Sequence, residues 1–162
     1  MEVSGMRIIG EMQFPGCPEI VRDVRTYVAR WLVMELPETA ADHDLLDDVR
    51  LLVGELAANA IKHTMSGRWG RGSFRVRLLL GAGRARVEVV DQGWWSGPRL
   101  RDDPLGSRGR GLHLLAAMAA KWGVRRHWFG RIVWFELPVG GLKSERSSGF
   151  RPVREKRGHA HA

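Results

Sequence analysis

The chain has 162 residues, 44% hydrophobic and 27% charged, with a net charge of +8 at neutral pH. That length accommodates one domain with a core sufficient to fold without staples, and the single cysteine, Cys17, excludes an internal disulfide or a cysteine-based zinc cluster. No apolar run approaches the roughly 20 residues that span a bilayer, and MEVSGMRIIGEMQF lacks the features of a signal peptide, so a cytoplasmic protein with no membrane contact is expected.

Half of the excess positive charge lies at Lys143–Ala162, where six basic residues are offset by two acidic ones. With its Ser, Gly and Pro and few large apolar side chains, residues 141–162 read as a disordered basic tail, leaving one domain at 1–140. Nucleic acid would have to bind this tail or the loop GRWGRGSFR, with a steep salt dependence. The basic residues are not interleaved with an aromatic stacking platform, however, and no helix-turn-helix or RNA-binding signature is present, so nucleic acid is not an expected partner.

In chain order, residues 6–14 predict a strand, followed by a Gly-Cys-Pro turn. From Pro18 to Leu36 the apolar residues Ile20, Val24, Val28, Trp31 and Leu32 recur at helical spacing, and Pro37 ends the run. Residues 42–64, DHDLLDDVRLLVGELAANAIKHT, predict a second helix, with acids in its first turns and Lys62 and His63 in its last, as the helix dipole favours. The phase then becomes alternating. Phe74, Val76, Leu78 and Leu80 share one face, Gly81-Ala82-Gly83 turns the chain, and Val87 and Val89 lead into Asp91, which makes a hairpin. GAGRAR therefore precedes a strand and is no dinucleotide fingerprint. A loop without periodicity fills residues 93–109; a helix, closed by Gly123, follows it. Strands at Val124–Trp128 and Ile132–Leu137 complete the core around a Phe129-Gly130-Arg131 turn. The order predicts an α+β, two-layer α/β sandwich: a mixed, mostly antiparallel sheet covered on one face by helices.

Two places carry candidate chemistry. In the second helix Val49, Val53, Leu56 and Ala60 form the core-facing row, and beside it run Glu55, Asn59 and Lys62 or His63 at spacings of three and four. Such a row is commonly a solvated polar face, but Asn is a poor helix former and here stands between alanines that leave its side chain uncrowded. The strand VEVVDQG ends on Asp91 and Gly93; by itself that pair is an ordinary turn signal.

Three segments in order, ELAANAIKH on a helix, VVDQG at a strand end and RGRGLHLL opening a helix, together resemble the adenine-nucleotide-binding domain of the GHKL superfamily, the Bergerat fold. Within it, FPGCPEIVRDVRTYVARWL and RIVWFELP look most like bacterial anti-sigma-factor serine/threonine kinases, over about residues 8–138. The resemblance implies ATP and Mg²⁺ as cofactors. Glu55 would orient or deprotonate the attacking hydroxyl or water, and Asn59 would ligate Mg²⁺. Lys62 or His63 would add positive charge near the phosphates. Asp91 would accept a hydrogen bond from the adenine amino group, and Gly93 would let the backbone pass close to the base. Gly109, Arg110, Gly111 and Leu112 would bring a helix N-terminus to the phosphates, with residues 94–108 as a lid. One position departs from the pattern: Trp95 stands where the family usually has a second glycine, so a ring there either contacts the base, covers the pocket or obstructs it.

The resemblance further implies a kinase that phosphorylates an anti-anti-sigma-type antagonist protein and binds a sigma factor, with a homodimer left open. The alternative is a module that binds ATP without catalysis, or binds no nucleotide, and acts through partner contact alone. A histidine kinase is disfavoured, because no dimerisation helix with a phosphoacceptor histidine precedes the domain.

Overall fold

The computed structural model describes residues 5–63, 72–91, 109–127 and 130–140. Strand β1 (Arg7–Pro15) leads through a short 3-10 turn at Pro18–Ile20 into helix α1 (Val21–Glu35). Helix α2 (His43–His63), the hairpin β2 (Ser73–Gly81) and β3 (Arg84–Asp91), helix α3 (Gly109–Met118) and strands β4 (Lys121–His127) and β5 (Gly130–Pro138) follow. The sheet order is β1-β2-β3-β5-β4, and all four described pairings are antiparallel. This is the expected α+β sandwich, with every described pairing antiparallel where a mixed sheet was expected.

Local sequence accounts for most boundaries. The N–H of Leu45 donates to Asp42 Oδ1 at 2.8 Å, which caps the start of α2. At the end of α1, the Leu36 N–H closes the last turn on the Leu32 carbonyl before Pro37. The β2–β3 turn holds two residues, Ala82 (φ 50°) and Gly83 (φ 68°), both with the positive φ that a two-residue type I′ hairpin requires.

The core lies between the sheet and the helices. Phe74, Val76, Leu78 and Leu80 of β2, Ala85, Val87 and Val89 of β3 and Val133, Phe135 and Leu137 of β5 meet Val24, Val28 and Leu32 of α1 and the predicted row Val49, Val53, Leu56 and Ala60 of α2. Helix α2 is central: it packs against α1, α3 and strands β2, β3 and β5. At the β1 edge a register shift between Ile8 and Gly10 turns Ile9 into the core. A Cβ on Gly10 would come within 2.9 Å of Tyr27 Oη, so this glycine lets α1 lie close to the strand.

The face away from the helices carries a charged cluster on β3 and β5 that is largely buried. Arg86 donates from Nε to Glu88 (2.9 Å) and from Nη1 to Glu136 (3.0 Å), and its guanidinium lies 3.7 Å from the centroid of the Trp134 ring. Arg84 donates to the other oxygen of Glu136 at 3.1 Å. Arg86, Glu88 and Glu136 are all buried, so each charge is compensated where solvent does not reach it.

The structure corrects the sequence reading after α3. Gly123 does not close that helix; α3 ends at Met118, and β4 begins at Lys121. The Ala120 N–H already bonds the Glu136 carbonyl, so the chain has joined the sheet before Gly123 is reached. Gly123 is instead the partner of Trp134, and a Cβ there would sit 2.8 Å from Trp134 Cζ2. Arg131, expected in a turn, belongs to β5, paired with Arg126 on one side and Asp91 on the other.

Candidate functional site

Helix α2 presents Glu55 and Asn59 one turn apart, both half-buried, on the side where α3 approaches. The contact is made by glycine. A Cβ built on Gly111 would lie 2.9 Å from Asn59 Nδ2, 3.6 Å from Glu55 Oε2 and 3.7 Å from Glu55 Cβ. The first turn of α3 can therefore rest on the two polar side chains only because residue 111 has none. Leu115, one turn later and fully buried, anchors α3 on the core and sets this approach.

Asp91 ends β3 on the same face as Val87 and Val89, so its carboxylate turns toward the helix layer. It is 2% exposed. Arg131 of β5, its cross-strand partner, donates from Nε (3.2 Å) and Nη2 (3.0 Å), both to Oδ2. The second oxygen, Oδ1, is buried and accepts no hydrogen bond among the described residues.

The remaining candidates are placed as follows. Lys62 is exposed in the last turn of α2, and His63 is its final residue. Gly109, Arg110 and Leu112 share the first turn of α3 with Gly111. Gly93, Trp94, Trp95 and the expected lid at 94–108 lie outside the described residues, as does the tail at 141–162. The structure thus joins Glu55, Asn59 and Gly111 directly, and sets Asp91 at a strand end on the same side of the sheet. Sequence reasoning missed Arg131, because nothing local in Gly130-Arg131-Ile132 shows which strand will lie beside it.

A family model for the histidine kinase-like ATPase domain matches residues 14–137, from the buried Phe14 of β1 to Leu137 of β5. The chain belongs to this family. A histidine kinase-like ATPase domain implies ATP binding, and the match takes in all three segments that carry the candidate site. No curated protein matches the chain closely enough to name a relative.

The described side chains suit the group the family implies. The cradle at Gly111 would be filled by any side chain, and it brings the N-terminal turn of α3, an end whose first N–H groups have no partner within the helix itself, beside Asn59. Among the described residues, no group of three or more His, Cys, Asp or Glu could hold a metal. A site with one amide oxygen suits Mg²⁺, which keeps waters and phosphate oxygens for its other positions. Among the described residues no helix is long and apolar enough to cross a membrane.

Proposed function

We propose that this histidine kinase-like ATPase domain is an anti-sigma-factor-type serine/threonine kinase: it binds Mg-ATP, phosphorylates a small antagonist protein and, when that antagonist is phosphorylated, sequesters a sigma factor. The observation that carries the nucleotide part is the contact of Gly111 with Glu55 and Asn59, in a chain that belongs to this family.

In this reading Asn59 would hold Mg²⁺ through its amide oxygen, and the bound ion would offset charge on the phosphates. The first turn of α3 would offer its N–H groups to the phosphates, and Gly111 permits the approach. Asp91 selects the base through its carboxylate. Glu55 would orient the acceptor hydroxyl and take its proton as the γ-phosphorus passes to that oxygen and its bond to the β-phosphate oxygen breaks, leaving ADP. Lys62, exposed at the end of α2, adds positive charge at the mouth of the site.

The partner half of the proposal is supported by apolar surface at the α1–β1 edge. Met12 and Met34 are exposed there, beside Trp31 and Arg30 in a shallow groove. Flexible thioethers on a surface suit docking of another protein.

The deciding experiment is a calorimetric titration of ATP in Mg²⁺, with Asp91→Asn as control. Binding in the micromolar range (on the order of −8 kcal/mol), lost in the variant, supports the reading. Absence of binding in the unsubstituted protein leaves the alternative, a partner-binding module without nucleotide.

A further inference from the structure

Two N–H groups of Arg131 converge on one oxygen of Asp91 instead of forking across both. The sheet imposes this: the two residues are direct cross-strand partners, so the guanidinium reaches the carboxylate along the ladder between β3 and β5. The pair is also asymmetric in burial, since the Asp91 side chain is 2% exposed and that of Arg131 34%. Arg131 thus supplies the positive charge that a carboxylate so deeply buried requires.

That arrangement bears on which base a carboxylate can read. Guanine presents two adjacent N–H donors, at N1 and the 2-amino group, which match both oxygens of a carboxylate. Adenine presents one amino donor beside an acceptor nitrogen. A carboxylate with both oxygens available therefore favours guanine by a bidentate pair, and one with a single oxygen available forfeits that advantage.

We propose that Arg131 is a specificity-determining residue of the nucleotide pocket: by occupying Oδ2 it leaves at most one oxygen of Asp91 to a base, so the site takes the single amino donor of adenine and forgoes the paired donors of guanine. The proposal rests on the reading of Asp91 as the base contact. Arg131 acts through Asp91 and is a positioning residue, so its signature is a change in base preference, not a general loss of affinity.

The test titrates ATP and GTP separately, in Mg²⁺, into the full chain and into Arg131→Met and Arg131→Lys, with thermal melting of each. In Arg131→Met the ratio of ATP to GTP affinity is expected to fall by about tenfold or more, the size of a gained bidentate base contact. Arg131→Lys keeps a donor on Oδ2 and should hold the ratio within about threefold of the original. If Arg131→Met does not fold, Arg131→Gln, uncharged but able to pack, is read by the same ratio. Equal weakening of ATP and GTP in the uncharged variant would assign Arg131 a structural role only and overturn the proposal. If the unsubstituted protein binds neither nucleotide, the reading of the pocket itself falls and this proposal with it; binding of ATP with an unmoved ratio overturns the role of Arg131 alone.

Discussion

Gly111 lies against Asn59 so closely that a single added carbon would stand 2.9 Å from the amide nitrogen. Helices α2 and α3 meet there, and the meeting joins a residue of α3 to a polar pair on α2. Gly111→Ala should therefore displace Asn59 or push back the first turn of α3. ATP affinity is expected to drop about tenfold or more, as misplacement by a fraction of an ångström does in oriented sites. The fold should survive, because Ala is the better helix former. Unchanged affinity in a titration of the variant would remove this contact from the site.

Glu55 offers a separation of binding from chemistry. Its Oε2 lies beside Gly111 and the residue is half-buried. In Glu55→Ala, phosphotransfer to the antagonist protein should fall by about 100-fold or more, the usual effect of losing a general base. ATP binding should stay within about threefold, since Glu55 bears on the hydroxyl and not on the base. Full turnover by the variant would leave Glu55 without a catalytic part.

The buried ionic cluster on the far face makes a stability prediction. Glu88 is 1% exposed and takes the Nε donor of Arg86, which keeps Glu136 and the Trp134 ring when Glu88 is lost. Glu88→Ala is expected to cost about 3 kcal/mol, within the range for breaking a buried pair by removing one partner. Denaturant unfolding measures it. A cost below about 1 kcal/mol would mean that the pair behaves as an exposed one.

Tyr27 is the one tyrosine of the chain, so alkaline titration of tyrosinate absorbance reports it alone. Burial raises its pKa above the ordinary value of about 10; the hydrogen bond with Trp31 opposes this, and the charge of Glu11 adds to the rise. The phenol packs edge-on against Phe14, with ring centroids 5.5 Å apart. The midpoint should stand above that of the unfolded chain in denaturant. Because the folded pKa is the higher, the associated stability is fully present below the unfolded value and is lost as pH rises through the folded one. Coincident midpoints for folded and unfolded protein would contradict the burial argument.

Ala82 holds a positive φ of 50° in the β2–β3 turn, a conformation that costs an alanine about 1 kcal/mol. Asn tolerates this region and is common in such turns. Ala82→Asn should raise the melting temperature by roughly 2–3 °C, corresponding to somewhat under 1 kcal/mol for a domain of this size. A lowered melting temperature would show that the turn prefers another conformation.

Much of the fold was legible because its signals are local. Val49, Val53, Leu56 and Ala60 recur with the period of a helix, and all four are buried. Alternation in Phe74, Val76, Leu78 and Leu80 gave the hairpin strand and its inner face. The boundary at Gly123 was misread for a related reason. Glycine after an apolar helical run is a common stop, and only the indole of Trp134, laid across that backbone, shows why glycine stands there.

The candidate site divides along the same line. Glu55 and Asn59 stand one turn apart on a helix, a relation that 3.6 residues per turn dictates from sequence alone, and Asp91 ends a strand whose alternation assigns its face. That Gly111 rests on the first pair, and that Arg131 seizes one oxygen of Asp91, depended on the docking of α3 and the pairing of β5 beside β3. Those placements are decided by burial of Leu115, Val133 and Phe135 in a core shared by the whole domain. Periodicity fixes which way a side chain points along its own element, while register between elements remote in sequence is chosen only when their apolar faces close on one another.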